Sequence, residues 1–247
     1  MAEQLGTPKA EFLDSVRRAL GRRPAAPQPP YWRLQEDLPL LEEQAQRLRA
    51  RLQEDRSTIL ERMARVAKDG GWNVSRTSGP EEAIGYIQSL ATSMGIERIV
   101  RSEQAVFSQV PMDAALQSAG ISVTTIAYDE SHSRNALRQE IAEAGMGITG
   151  ADYAVAETGS VIVVPRQGLS RLVSVVPPVH VALVRPEDVI DNLDDLFLLR
   201  RLEYHRNGGD MGSYLNFITG PSRTADIEQT LVVGVHGPKE VHLVLLG

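Results

Sequence analysis

The chain has 247 residues, 42% hydrophobic and 23% charged, enough for one large globular domain or for one domain with an added arm. A net charge of −6 and an isoelectric point near 5.5 argue against a nucleic-acid binder, which needs a basic stripe to neutralise phosphates. The absence of cysteine excludes disulfides, thiolate nucleophiles and thiolate-held zinc, and leaves no thiolates to hold an iron–sulfur cluster.

The opening MAEQLGTPKAEFL lacks the apolar core of a signal peptide. The longest apolar run, Leu172 to Val184, is interrupted by Pro177-Pro178 and is too short to span a bilayer. A cytoplasmic protein without membrane insertion is the expectation. Thr7-Pro8 reads as an N-cap with proline at the first helical position. Phe12, Leu13, Val16 and Leu20 then recur at helical spacing, and Gly21 stops the helix. Residues 22–32 are Pro-rich and read as an extended linker. A second helix is expected from Pro39 to Lys68, ending at Gly70-Gly71, with a solvated middle dense in Arg, Glu and Gln. Residues 1–70 are therefore expected to form a helical arm with a linker, and 71–247 an α/β domain.

From Trp72 short strands alternate with helices. Strands are expected at Trp72–Arg76, Arg98–Arg101, Ile121–Tyr128, Tyr153–Glu157, Val161–Val164, His180–Arg185, Tyr214–Thr219 and Val241–Leu246. Helices are expected at Pro80–Ser93, Ser133–Ala144, from Pro186 to about Tyr204, and from about Thr224. This alternation predicts a layered, mostly parallel sheet covered by helices, with an antiparallel hairpin turning at Thr158-Gly159.

Three segments carry candidate chemistry. Residues 145–150, GMGITG, match the dinucleotide pattern G-x-G-x-x-G, but a helix precedes them and a strand follows. That is the reverse of what the pattern needs, so they read as a helix cap and turn. In Ala156-Glu157-Thr158-Gly159-Ser160, turn chemistry explains Gly159 but leaves Glu157 open as a nucleophile or base at a strand end. Thr158, Gly159 and Ser160 would then line a ligand. In Gly220-Pro221-Ser222-Arg223-Thr224, a strand end meets an expected helix start, where free N–H groups and Arg223 can hold an anion. Self-capping by Ser222 or Thr224 and pairing of Arg223 with Asp226 explain the same residues, and Asp226 weighs against a plain phosphate clamp. His236, beside Gly237-Pro238, lies in a loop that can approach a ligand closely, and histidine is a residue type suited to proton transfer, so it is a second catalytic candidate. Ser170 and Arg171 precede the paired prolines and can line the same cleft. His180 reads as structural, and His132, His205 and His242 lack metal-ligand spacing. The GPSRTADIE and GVHGP loops are expected where an open α/β sheet places its ligand, beyond the strands' carboxyl ends.

With these segments in place, the sequence resembles the lactate-utilisation (LUD) domain family. The resemblance rests on GITGADYAVAETGS (147–160), RLVSVVPPVHVALVRPEDVI (171–190) and GPSRTADIEQTLVVGVHGPKEVHLVLL (220–246), and covers roughly 70–247. It implies a NagB/RpiA/CoA-transferase-like fold. It also implies a share in oxidising L-lactate to pyruvate beside two partner proteins that hold the iron–sulfur clusters, this chain holding no cofactor. By the same resemblance, Glu157 sits like the glutamate of CoA transferases, whose motif also reads Glu-x-Gly; fold analogy alone does not establish that chemistry. Three readings stand at this point. The chain is a non-redox component of a lactate-oxidising system that binds a small anion or partner subunits. Alternatively, it is a CoA-transferase-like or ligase-like enzyme acting on an acyl, carboxylate or phosphorylated small molecule. In the third, it is an interaction module whose helical arm is the partner surface.

Overall fold

The apolar stretches VHVALV and EVHLVLL show no polar alternation, the signature of strands covered on both faces. In the computed structural model both are central strands. It describes residues 9–21, 32–127, 133–166, 170–212, 214–225 and 230–247. The Pro-rich linker and Asp226 fall largely or wholly outside these. Two units are distinguished, residues 1–37 and 38–247.

The first unit contains α1 (Lys9–Ala19) and a 3-10 turn at Trp32–Gln35. Phe12, Leu13, Val16 and Leu20 form an exposed apolar stripe on α1.

The second unit begins with α2 (Leu38–Glu54) and α3 (Arg56–Gly70), which abut at Asp55 where one continuous helix was expected. Then follow β1 (Asn73–Thr77), α4 (Pro80–Ser93), β2 (Arg98–Ser102), α5 (Val106–Gln109), α6 (Asp113–Ser118), β3 (Ser122–Ile126), α7 (Arg134–Glu143) and β4 (Met146–Gly150). Next come the hairpin β5 (Tyr153–Val155) and β6 (Ser160–Val163), α8 (Leu172–Val175) and β7 (Val179–Val184). The chain closes with β8 (Val189–Ile190), α9 (Leu193–Arg206), β9 (Asn216–Ile218), β10 (Arg223–Thr224), β11 (Val232–Val233) and β12 (Glu240–Leu246).

Six strands form a parallel sheet in the order β1-β12-β7-β4-β2-β3. A smaller sheet, β8-β5-β6-β9, packs on one face of it. Their shared core holds Val155, Ile162, Ala182, Val184, Leu243 and Leu245 together with Leu52, Ile59, Met63 and Ala67 of α2 and α3. The opposite face buries Ile87, Phe107, Leu116, Ile148, Val181 and Val244 against α4, α5 and α6. This is the layered α/β architecture the alternation predicts.

Three expected elements differ. Met146–Gly150, read as a cap and turn, is a fully buried strand in mid-sheet. Its glycines suit close packing rather than a turn: a Cβ on Gly147 would overlap the Val173 carbonyl oxygen of α8. The helix expected from Pro186 is a short 3-10 turn followed by β8, and α9 starts only at Leu193. There Asn192 caps it, its side chain accepting from the Asp195 N–H at 2.9 Å. Arg223 and Thr224 are extended where a helix start was expected. They pair antiparallel with Val233 and Val232, whose β-branched side chains favour a ribbon.

Candidate functional site

Several of the residues singled out in the sequence, Gly159, Gly220, Pro221 and Arg223 among them, meet around the end of α3. Pairing of β6 with β9 sets Val161 opposite Ile218 and so brings Ser160 beside Thr219. Thr158 Oγ1 donates to Ser160 Oγ at 2.8 Å, and Ser160 Oγ lies 2.8 Å from Thr219 Oγ1. Gly159 has φ 64° and lies against α3, where a Cβ would stand 2.6 Å from the Ala67 nitrogen. Gly220 abuts Gly70, and Pro221 and Arg223 lie over Gly71. The Ser222 N–H donates to the Pro238 carbonyl at 2.9 Å, and the Gly234 N–H to the Ser222 carbonyl at 2.9 Å. Gly237 packs against Ser222 and approaches the Val175 carbonyl. Ser170 accepts from the Leu172 N–H at the start of α8, and the Arg171 guanidinium lies 5.7 Å from the Tyr214 ring centre. His236 is exposed in the turn between Gly234 and Gly237.

Their place in the sheet differs from the expectation. Gly71 leads into β1, Pro178 into β7 and Pro238 into β12. The two Gly-Pro loops therefore sit at the amino ends of the parallel strands, opposite the edge where open α/β sheets hold ligands. The helix start expected to supply free N–H groups for an anion is absent among the described residues: the Ser222 N–H is taken by Pro238, and Arg223 is in a strand. Glu157 is exposed. Its Oε2 accepts from the Leu193 N–H at 3.1 Å, and its own N–H donates to Asp191 at 2.8 Å, so it complements the positive start of α9.

Beneath the loops lies a buried polar pair. His180 is fully buried, with Nε2 2.9 Å from Thr149 Oγ1. Its Nδ1 and the neighbouring Trp72 indole N–H have no hydrogen-bond partner among the described residues. Burial, and secondarily the His242 charge, push the His180 pKa down to about 3. His242 faces the other side of the sheet, 2.7 Å from the Tyr86 hydroxyl and 3.1 Å from Glu240; burial lowers its pKa and Glu240 opposes the shift.

A second locus lies at the carboxyl edge. From β2 the chain proceeds to β3 on one side, whereas from β4 it proceeds to β7 on the other. The connections part there, and such a point opens a crevice. Gln104, Ala105, Val106, Ala151, Asp152, Arg166 and Arg185 line a cavity of about 120 Å³ in it. Gln104 Oε1 accepts from the Gly150 N–H at 2.8 Å and from Ser102 Oγ at 2.6 Å. Asp152 accepts from the Val164 N–H at 2.7 Å and from Arg166 Nη1 at 2.8 Å. Arg185 forms a two-point pair with Asp188, both contacts 2.7 Å. Burial raises the Asp188 pKa against the pull of Arg185. None of these residues was singled out in the sequence. The available signal was Asp152 immediately after GITGA, which becomes a strand-end position once Met146–Gly150 is read as a strand.

Among the described residues no group of three or more His, Asp or Glu is placed to hold a metal, and no helix is long and apolar enough to cross a membrane.

A model of the LUD domain matches residues 60–246. The chain belongs to the LUD domain family. Lactate utilization protein C of Geobacillus sp. (strain WCH70) is 28% identical over 254 residues, covering 96% of this chain and 94% of that protein. Lactate utilization protein C of Bacillus pumilus is 32% identical over 171 residues, covering 67% and 70%. Lactate utilization protein B of Bacillus licheniformis is 27% identical over 250 residues, covering 82% of this chain and 50% of that protein. The chain thus spans about half the length of the protein B relatives it matches. The crystal structure of a DUF162 family protein from Deinococcus radiodurans superposes with a TM-score of 0.53 at 24% identity, over 78% of this LUD chain and 98% of that one. That likeness concerns the fold.

Proposed function

We propose that this LUD protein is a cytoplasmic, non-redox component of an L-lactate utilisation system, working beside two iron–sulfur proteins that carry the electrons. The observation behind it is the near end-to-end match to Lactate utilization protein C of Geobacillus, which involves almost the whole of both chains. The lack of cysteine supports the division of labour, since this chain has no thiolate to offer a cluster. Its contribution is then binding: of partner subunits, of a small anion, or of both. Deleting the gene should abolish growth on L-lactate as sole carbon source and leave growth on glucose intact. Normal growth on lactate in a strain without a second copy would refute the role.

The second reading is a CoA-transferase-like enzyme with Glu157 as nucleophile, favoured by the exposure of that carboxylate at a strand end. The bond from Leu193 supports a structural use instead. Glu157→Ala is expected to cost about 1 kcal/mol in urea denaturation, the usual size of a lost helix-start interaction. Incubation with acyl-CoA donors should leave the mass of Glu157 unchanged. An adduct that disappears in Glu157→Gln would establish the enzymatic reading.

A further inference from the structure

The crevice at the carboxyl edge is built, and its construction points to a ligand. Gly150 ends β4 beneath it. A Cβ there would stand 2.8 Å from Val106 Cγ1 and 3.3 Å from both Cβ and Cδ of Gln104. The glycine lets the Gln104 side chain lie directly on the strand end. Gln104 Oε1 then faces the sheet, taking the Gly150 N–H and the hydroxyl of the fully buried Ser102. With its oxygen engaged on that side, the amide NH₂ is the donor this cavity-lining side chain still has to offer.

Across the cavity stand a donor and an acceptor already oriented by each other. Arg166 gives one terminal nitrogen to Asp152 at 2.8 Å and to the Val164 carbonyl at 3.1 Å, leaving its other N–H groups for a guest. Arg185 also lines the cavity, steered by Asp188. Asp152 uses one lone pair on each oxygen, toward Val164 N–H and Arg166, and so keeps a lone pair on each for further hydrogen bonds. Preorganised donors of this kind lose little entropy on binding. A volume near 120 Å³ admits only a molecule of several heavy atoms.

We infer that the crevice between β2 and β4 binds a small hydroxy acid, its carboxylate on Arg166 and the Gln104 amide and its hydroxyl donating to Asp152. The acceptor decides between close analogues. A hydroxyl can donate to Asp152, whereas the carbonyl of a 2-oxo acid would face a carboxylate with no hydrogen to offer it. Hydroxy acids should bind more tightly than the matching oxo acids, by about tenfold for one charged hydrogen bond. The site rests on the cavity and the sheet topology; the choice of a hydroxyl as the group donating to Asp152, and of L-lactate as first probe, rests on the function proposed above.

The test is calorimetric titration of the full-length protein with L-lactate, pyruvate, acetate and inorganic phosphate. L-Lactate should bind saturably and more tightly than pyruvate. Arg166→Gln should weaken binding about tenfold. The variant leaves Asp152 one partner fewer, but the Arg166 side chain is half exposed, so it should fold and melt within a few degrees of wild type. Arg223→Gln, at the opposite edge, should bind like wild type. Loss of binding in Arg223→Gln alone would move the site to the Gly-Pro loops and overturn the inference. So would saturation by none of the four probes, a preference for pyruvate, or a preference for phosphate. Normal growth of the deletion strain alongside lactate binding lost in Arg166→Gln would remove the proposed role and keep the site; the reverse pair would do the opposite.

Discussion

Gly147→Ala is expected to be among the most damaging single substitutions in this protein, lowering stability by about 3 to 4 kcal/mol. Gly147 lies in mid-sheet, paired with Val100 of β2 on one side and His180 of β7 on the other. A methyl there would overlap the Val173 carbonyl oxygen, and would stand 3.0 Å from the Val173 carbonyl carbon and 3.1 Å from Pro177 Cγ. Most of that obstacle is backbone, so no rotamer change relieves it. Relief requires α8 to lift off the sheet, pulling Val173 out of the cluster it forms with Val100, Ile126, Leu137 and Ile141. Overpacking and a vacated cavity would then add. Gly145→Ala is the control: its Cβ would meet only the Ile96 side chain, at 3.0 Å, which can yield. In thermal melts Gly147→Ala should fall by about 10 °C, and Gly145→Ala by no more than a few degrees. Similar losses in the two variants would show that the approach of α8 is not what requires glycine.

That same strand shows where the sequence stops being legible. Helix α4 has the expected limits, Pro80–Ser93, because its determinants are local: proline in the first turn, two glutamates beside it, and buried Ala83, Ile87 and Ala91 at helical spacing. The last strand was equally plain, since VHLVLL is apolar apart from His242. By contrast, β4 contains Met146, Gly147, Ile148, Thr149 and Gly150, and glycine has low strand propensity. Only the contacts of Gly147 with α8 and of Gly150 with Gln104 explain it, and those partners lie far away in sequence. The start of α9 was masked by Pro186, which reads as a helix beginning while the real cap is Asn192. The candidate site suffered most. The pairing of β6 with β9 and the loop bonds do bring Ser160, Thr219, Gly220 and Ser222 toward one another. Whether such a cluster lies at the amino or the carboxyl edge depends on strand direction and order. So does the crevice between β2 and β4. Both are properties of the whole topology that no local motif encodes.

Acid should destabilise the protein steeply, and His180 is expected to account for about 3 kcal/mol of that loss near pH 4.5. The unfolded chain holds this imidazole near its ordinary pKa of 6.5, whereas in the folded protein burial depresses it to about 3. Above pH 6.5 both states carry it neutral, and it contributes no pH dependence. Below pH 6.5 the unfolded state gains a proton that the native state refuses. Stability therefore falls by about 1.4 kcal/mol per pH unit until the folded value near 3 is approached. The structural cause is plain: the ring is fully buried between Trp72 and the sheet, Thr149 is its one hydrogen-bond partner, and Nδ1 has none. Among the described residues a charged imidazolium there would have no carboxylate to compensate it, since Glu240 pairs with His242 on the other face. Other groups titrate over the same range, Asp195 among them, whose pKa burial raises, so the informative quantity is a difference. Urea denaturation at pH 7 and pH 4.5 should show wild type losing about 3 kcal/mol more than His180→Gln. If that variant does not fold, NMR titration of the wild-type ring protons reads the same property: the His180 resonance should stay in its neutral position down to pH 5. Titration of that resonance near pH 6.5, or equal acid losses in the two proteins, would show that the buried imidazole accepts its proton in the folded state.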